Sequence, residues 1–179
     1  MPNKEMHLIL DFDRTLFDVA SFLTTIHYEF QTSEVFSPNH FPHVQVSQEQ
    51  SQRFLFPDTA QTLTQWQDQK ITMWIFSQGD LDGQAFKYQI AGINQWIPPD
   101  RQFTYSDYKI DHIGDILSNI PKHSTIMYID DKATCLSDAK QLHPQITTIL
   151  VLYHHWEDQT VNNPPDITIN TLSQLNQHI

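Results

Sequence analysis

The stretch Leu8-Ile-Leu-Asp-Phe-Asp-Arg-Thr-Leu-Phe-Asp18 changes from apolar to acidic within a few residues. The short apolar run from His7 to Leu10 is typical of a buried strand, and Asp11 and Asp13 follow it directly. Open α/β sheets bind ligands at the carboxyl ends of their strands, which is where this acidic pair would lie. Two neighbouring carboxylates repel each other unless a cation lies between them. Because Mg²⁺ prefers oxygen ligands and also binds phosphate, the stretch predicts a site for both.

Three further apolar runs have the character of buried strands and are separated by helical patterns. They lie at Ile71 to Phe76, Thr125 to Ile129 and Thr147 to Leu152. Amphipathic helices are predicted between Asp58 and Trp66, over Asp82 to Ile97, from Ile110 to Ile120 and over Leu136 to Leu142. Strands that alternate with helices favour a parallel sheet covered on both faces. The predicted fold is α/β, with a three-layer, Rossmann-like parallel sheet.

The segment between the acidic stretch and the second strand does not fit this alternation. It contains an apolar helical pattern around Phe22 and Ile26, a loop with two prolines, and a second short helical pattern before Phe56. We interpret residues 18–56 as a small, mainly helical cap insertion, and residues 1–17 and 57–179 as the α/β core. The insertion's aromatic residues are expected to form a small core of their own. These are Phe22, Tyr28, Phe30, Phe54 and Phe56.

Composition limits the classes of partner that the protein would bind. The 179 residues suit one domain with a modest insertion, and the formal net charge of -11 argues against binding nucleic acid backbones. The single cysteine, Cys135, excludes an intramolecular disulfide and suits a reducing compartment. No segment approaches the roughly 20 apolar residues of a membrane helix, and the N-terminus lacks a signal-peptide pattern. We therefore expect a cytoplasmic protein without nucleic acid or membrane partners, and the sequence leaves its oligomeric state open.

Polar residues follow the predicted strands in a definite order along the chain. Asp11 and Asp13 follow the first strand, Ser77 the second, and Asp130 and Asp131 the strand that begins at Thr125. Lys109 lies between the last two, at the start of a predicted helix. The carboxyl ends of parallel strands meet at one edge of a sheet. These residues are therefore expected to converge.

In this order the residues resemble the motifs of the haloacid dehalogenase superfamily, most of whose members are Mg²⁺-dependent phosphatases. The similar stretches are Asp11 to Thr15, Ile75 to Ser77, Lys109, and Tyr128 to Asp131. The segment from Pro165 to Ile169, with Leu172 and Leu175, resembles the superfamily's closing strand and helix. Any one motif alone is a weak signal. Four in the correct order, over nearly the whole chain, make a specific one.

The resemblance implies a role for each residue. Asp11 would be the nucleophile that forms an aspartyl phosphate, and Asp13 the general acid and then base. Ser77, the backbone N–H of Gln78, and Lys109 would bind the phosphoryl group. The implied Mg²⁺ ligands are Asp11, the backbone carbonyl of Asp13, Asp130 and Asp131. Asp131 aligns with the direct ligand, and Asp130 would bind the metal or its water. Asp130 is taken to replace an acid or amide that many members carry one helical turn later, where Cys135 stands.

Five further residues bear on these motifs or on the helices near them. Arg14 replaces the glycine that is more usual at its position in the superfamily. Thr15 is expected to donate a local hydrogen bond to the backbone. Asp18 and Asp58 are candidate N-caps of the helices that follow them. Lys87 competes with Lys109 for the phosphate-site role, and Lys109 is preferred because it opens a helix.

Together these observations predict a Mg²⁺-dependent phosphomonoester hydrolase acting on a phosphorylated small molecule. One alternative is a phosphomutase or phosphotransferase, which would return the phosphoryl group to a substrate. A second alternative is a domain without catalysis that binds a phosphorylated ligand, or a phosphoacceptor domain. The sequence does not identify the substrate.

Overall fold

Six parallel strands form the centre of the part of the chain that the structure describes. The computed structural model describes residues 5–25, 52–153 and 160–179. The strands are β1 (Met6–Leu10), β2 (Thr72–Gln78), β3 (Gln102–Tyr105), β4 (Thr125–Asp130), β5 (Thr147–Val151) and β6 (Ile167–Ile169). Their order across the sheet is β3-β2-β1-β4-β5-β6, and every neighbouring pair is parallel. The predicted α/β fold with a parallel sheet is confirmed.

The helices of the described residues lie between these strands along the chain, and several of their ends differ from the predicted ones. They are α1 (Val19–Thr25), α2 (Thr59–Asp68), α3 (Leu81–Ala91), α4 (Ile113–Leu117) and α5 (Ala133–Leu142). The helix predicted to reach Ile97 ends at Ala91, because Gly92 takes a left-handed conformation with a φ of 65°. The helix predicted after Lys109 begins as a 3₁₀ turn, Lys109–His112, before α4. None of the described helices has the length and apolar character that crossing a bilayer requires.

Both faces of the sheet are buried, and the alternation along β1 shows how. Leu8 and Leu10 pack into a core on the side of α2 and α3, together with Leu63 and Trp66 of α2. Ile9 points to the opposite face and packs with residues of α4 and α5, such as Leu136. Successive residues of a strand face opposite sides, so a sheet between two helical layers needs apolar residues at every position. This arrangement is the predicted three-layer architecture.

The edge strand β3 was not predicted from the sequence. It pairs with β2 through the register Phe76 with Phe103 and Ser77 with Thr104. All four of its residues are only half-buried, because the strand has a neighbour on one side alone among the described residues. A strand of this kind carries no continuous apolar run, which was the signal used for the other strands.

Three of the aromatic residues assigned to the insertion pack into the main core instead. The rings of Phe22 and Phe54 lie 5.3 Å apart, and Phe22 also contacts the ring of Phe17 at 5.3 Å. Phe56 stacks on Tyr153 at 3.7 Å. The expectation of a separate small core is therefore wrong for Phe22, Phe54 and Phe56, whose side chains join the core on the α2 and α3 side. Tyr28 and Phe30 lie outside the described residues, and the boundaries of the cap insertion remain a prediction.

The two candidate N-caps behave differently. The Asp18 carboxylate accepts a hydrogen bond from the backbone N–H of Ser21 at 2.9 Å, which confirms it as a cap of α1. Asp58 precedes α2 but makes no capping hydrogen bond. Its carboxylate accepts instead from the Tyr153 hydroxyl at 3.2 Å and from the backbone N–H of Ser173 at 2.7 Å. Asp58 thus ties the start of α2 to the last segment of the chain.

Candidate active site

The predicted site residues meet where the strand order of the sheet reverses. The chain runs outward from β1 to β2 and β3 on one side, and then from β4 to β5 and β6 on the other. Asp11 follows β1, and its backbone N–H continues the sheet by donating to the carbonyl of Ile129 in β4 at 2.9 Å. Asp130 ends β4, and Asp131 follows it. Such a reversal leaves a crevice between the two central strands, which is the usual ligand site of open α/β sheets.

Asp11 is held by two donors from different parts of the chain. Its Oδ1 atom lies 2.5 Å from Lys109 Nζ, and its Oδ2 atom accepts from the Thr15 hydroxyl at 3.0 Å. The prediction that the Thr15 hydroxyl donates to the backbone is therefore wrong, because it donates to the Asp11 carboxylate. Burial raises the pKa of Asp11 to about 6, because it outweighs the lowering by the Lys109 charge, and Asp130 raises the pKa further.

Lys109 joins two of the buried carboxylates. Its ammonium lies 2.7 Å from Asp130 Oδ2 and donates to the carbonyl of Phe76 at 3.1 Å, in addition to its contact with Asp11. The residue is only 2 % exposed. Burial lowers the pKa of Lys109, but the charges of Asp11 and Asp130 more than compensate, so that the pKa is raised. Lys109 therefore stays charged at the centre of the site, as its predicted role requires.

Asp130 and Asp131 have different surroundings although they are adjacent. Asp130 is fully buried, and its Oδ2 atom accepts from the Tyr128 hydroxyl as well as Lys109. Its Oδ1 atom accepts from the backbone N–H of Lys132 at 2.8 Å. For Asp131, burial raises the pKa to about 8, and the charges of Asp11 and Asp130 add to the effect. Tyr128 was not predicted as a site residue, although its position two residues before Asp130 places both side chains on the same face of β4.

The chemistry of this cluster suits a divalent cation. One carboxylate oxygen from each of Asp11, Asp130 and Asp131 lies within 4.8 Å of the others. These three carboxylates carry a formal charge of -3, and the buried Lys109 compensates only one of these charges. Carboxylates that close together are costly to bury unless a cation compensates them. Hard, oxygen-rich donor sets of this kind suit Mg²⁺.

Asp13 lies beside the cluster and is held by α3. Its Oδ2 atom contacts Lys87 Nζ and accepts from Gln84 Nε2 at 3.0 Å. The same Gln84 amide lies 3.1 Å from Ser77 Oγ and 3.3 Å from the carbonyl of Gln78. Ser77 is thus brought next to Asp13, as predicted. Gln84 was not predicted, and Lys87 was considered only for the phosphate-site role given to Lys109. Their spacing of three residues on a helix that follows the Ser77 loop nevertheless places both on one face.

The turn between Asp11 and Phe17 has an uncommon backbone conformation at one position. Arg14 has a φ of 66°, in the left-handed region that glycine adopts most easily. Its backbone N–H donates to the carbonyl of Phe17 at 2.8 Å. The backbone N–H groups of Leu16 and Phe17 both donate to the carbonyl of Phe12. Glycine would adopt this conformation at position 14 with less strain than arginine.

No protein-family model matches the sequence, and no curated protein is significantly similar to it. Solved structures match over nearly the whole chain. A haloacid dehalogenase-like hydrolase from Burkholderia xenovorans has a TM-score of 0.73 and 16% identity, covering 97% of this chain and 96% of that one. The chain has the haloacid dehalogenase fold.

Two further structures with this haloacid dehalogenase fold bear on the chemistry of the site. The HAD-hydrolase YfnB from Bacillus subtilis, solved bound to magnesium, has a TM-score of 0.68 and 13% identity, covering 98% of this chain and 99% of that one. An L-2-haloacid dehalogenase, RSc1362, has the same TM-score and coverages with 12% identity. One of these neighbours is thus named a dehalogenase and the other a hydrolase solved with magnesium, and the fold alone does not select an activity for this chain.

Proposed function

We propose that the protein is a Mg²⁺-dependent phosphomonoester hydrolase that acts on a phosphorylated small molecule through an aspartyl phosphate. The observation that carries this proposal is the buried cluster of Asp11, Asp130 and Asp131 around Lys109. A phosphoryl group brings several negative charges to a site, so its transfer needs concentrated positive charge. A divalent cation together with Lys109 would provide that charge beside a carboxylate that can act as a nucleophile.

In the first step, a carboxylate oxygen of Asp11 forms a bond to phosphorus as the bond from phosphorus to the substrate oxygen breaks. Asp13 gives a proton to that leaving oxygen, so that an alcohol departs. Lys109 neutralises charge on Asp11 and on the transferring group, and Ser77 Oγ with the backbone N–H of Gln78 donates to phosphoryl oxygens. The covalent intermediate splits one difficult displacement into two easier ones.

In the second step, water attacks the phosphorus of the aspartyl phosphate. Asp13 takes a proton from that water, and the bond between phosphorus and Asp11 breaks. Inorganic phosphate leaves, and both carboxyl groups return to their starting protonation states. The same side chain serves as acid and then as base, which requires that it stays close to the leaving oxygen and to the incoming water alike.

The metal would be held by Asp11, Asp131 and the backbone carbonyl of Asp13, with Asp130 on the metal or on one of its waters. We favour Asp131 as the direct ligand because both oxygens of Asp130 already accept hydrogen bonds from protein donors. When bound, Mg²⁺ would neutralise charge on the phosphoryl oxygens and on the nucleophile.

The substitution Asp11→Asn tests the proposal most directly. We expect the unchanged protein to hydrolyse p-nitrophenyl phosphate in the presence of Mg²⁺, and Asp11→Asn to lose all measurable turnover because an amide is not an effective nucleophile. Release of inorganic phosphate is the measurement, with circular dichroism as the control for folding. Absence of turnover by the unchanged protein across a broad panel of phosphate esters would overturn the proposal. An isomerised sugar phosphate without inorganic phosphate would support the phosphomutase instead.

A comparison of Asp131→Asn with Asp130→Asn tests the metal assignment. For Asp131→Asn we expect the Mg²⁺ concentration for half-maximal activity to rise about 10-fold or more, because a ligand is lost. Mg²⁺ should also raise the thermal midpoint of the unchanged protein and not that of Asp131→Asn. For Asp130→Asn we expect a loss of stability of about 3 kcal/mol, because the partner charge of a buried Lys109 is removed. A variant Asp131→Asn with normal Mg²⁺ dependence would contradict the assignment.

A further inference from the structure

We infer that Lys87 and Gln84 of α3 are positioning residues that hold the Asp13 carboxylate for proton transfer and fix it relative to Ser77. This inference rests on the proposed function. Neither residue belongs to the motifs that carry the resemblance. Both side chains are nonetheless buried at the site, with Lys87 4 % and Gln84 2 % exposed. A lysine is almost never buried to this extent without a partner of opposite charge, and Asp13 is that partner.

The two donors act on the same oxygen of Asp13. Both Lys87 Nζ and Gln84 Nε2 contact Oδ2. The other oxygen, Oδ1, is buried and accepts no hydrogen bond within the described residues. Both donors therefore hold the carboxylate through Oδ2, and Oδ1 keeps an unsatisfied acceptor position. When Asp13 gives up its proton to the leaving oxygen, the carboxylate that forms is stabilised by both donors, which favours the transfer.

Gln84 also links the acid to the phosphate-binding loop. Its amide nitrogen lies within hydrogen-bond distance of Asp13, of Ser77 Oγ and of the Gln78 carbonyl. This position depends on Gly79, because a Cβ atom there would lie 2.8 Å from Gln84 Nε2. Gly79 thus leaves the space that the Gln84 amide occupies. The Gln84 contacts therefore set the distance between the Asp13 carboxylate and the phosphate-binding Ser77. A misplacement of reacting groups by about 1 Å is enough to slow such a reaction strongly.

The two residues differ in which groups of the proposed mechanism they contact. Lys87 contacts the Asp13 carboxylate, whereas Gln84 contacts Asp13 and Ser77. Loss of Lys87 should therefore weaken protonation of the leaving group and leave phosphate binding intact. Loss of Gln84 should weaken both.

A series of aryl phosphates separates these effects, because a poor leaving group needs protonation and a good one does not. For Lys87→Met we expect kcat/KM to fall about 10- to 100-fold with phenyl phosphate and less than about threefold with 2,4-dinitrophenyl phosphate. Lys87→Arg should recover most of the loss, and binding of beryllofluoride with Mg²⁺ should stay within about twofold of the unchanged protein. Lys122→Met is a matched control, since Lys122 is exposed and precedes the amino end of β4, away from the site.

Gln84→Met should lose kcat/KM with both esters and bind beryllofluoride more weakly, and Gly79→Ala should reproduce this result by displacing the Gln84 amide. Equal losses of kcat/KM with both esters for Lys87→Met would indicate a structural role and overturn the inference. A Lys87→Met variant as active as the unchanged protein would also overturn it, and in both cases the proposed function would stand. Absence of turnover of either ester by the unchanged protein would overturn the proposed function and the inference together.

Discussion

Arg14 combines a long charged side chain with a backbone conformation that favours glycine. Its φ of 66° costs a non-glycine residue about 1–2 kcal/mol of folding free energy, which a glycine would recover. Glycine also makes the unfolded chain more flexible, and this offsets part of that gain in stability. We therefore expect Arg14→Gly to stabilise the protein by about 0.5–1 kcal/mol in urea unfolding. Arg14→Ala is the matched control, because it removes the same charge and retains the strain. Equal stability of the two variants would contradict this explanation.

Two lysines of the chain illustrate what a single residue's sequence context can and cannot predict. Lys109 is predicted at the site because it opens a helical pattern, as the lysine of the similar superfamily does, and the structure places it on Asp11 and Asp130. Lys87 lies inside a helix, where its spacing resembles that of any surface lysine, yet it pairs with Asp13. The two partners are 74 residues apart in sequence. No local pattern encodes such a contact, because packing of α3 against the sheet brings the two side chains together.

At the scale of elements, α3 carries the residues that hold Asp13, and its first turn is fixed by Asp80. The Asp80 carboxylate accepts from the backbone N–H of Gly83 at 2.8 Å. We expect Asp80→Ala to cost about 1 kcal/mol of unfolding free energy, because a helix N-cap is lost. Asp80→Asn should retain most of the stability, since asparagine caps equally well. Urea unfolding of the three proteins provides the measurement, and a loss of similar size in both variants would contradict a capping role.

The elements that the sequence predicted well are those with a strong local signal. The strands at β1, β2, β4 and β5 have continuous apolar runs, and their predicted ends agree with the structure to within two residues. The edge strand β3 lacks such a run because its residues are half-buried. The helix predicted to continue to Ile97 keeps its apolar spacing beyond its true end, since Gly92 turns the chain while Ile93 and Ile97 still face the core. Beyond Ala91 the apolar spacing therefore continues although the helix has ended.

For the whole molecule, His7 links stability to pH. It is buried in β1, where its Nδ1 atom accepts a hydrogen bond from Trp74 Nε1 at 3.2 Å. Burial lowers the pKa of His7 below 6.5; Glu5, 3.7 Å away, raises the pKa to a smaller extent, and the Arg101 charge lowers it. The folded protein therefore binds this proton less readily than the unfolded chain. The stability that His7 contributes is complete above about pH 6.5 and is lost as the pH falls below that value.

We accordingly expect the unfolding free energy of the unchanged protein to fall more steeply between pH 7 and pH 5 than that of His7→Asn. Asparagine retains an acceptor for Trp74 and does not titrate. Urea unfolding at several pH values measures both slopes, and the difference between them isolates His7 from the other histidines. Parallel curves for the two proteins would contradict the prediction.

The sequence by itself determined the α/β class, the parallel sheet and the set of polar residues at the strand ends. These are local properties: the length and apolar content of a strand, and the residue that follows it, can be read within about ten positions. Tertiary structure alone decided the partners within the site. It placed Lys87 and Gln84 on Asp13, the Tyr128 hydroxyl on Asp130, and the side chains of Phe22, Phe54 and Phe56 in the main core. Such contacts join distant segments, and their geometry exists only once the helical layers have packed on the sheet.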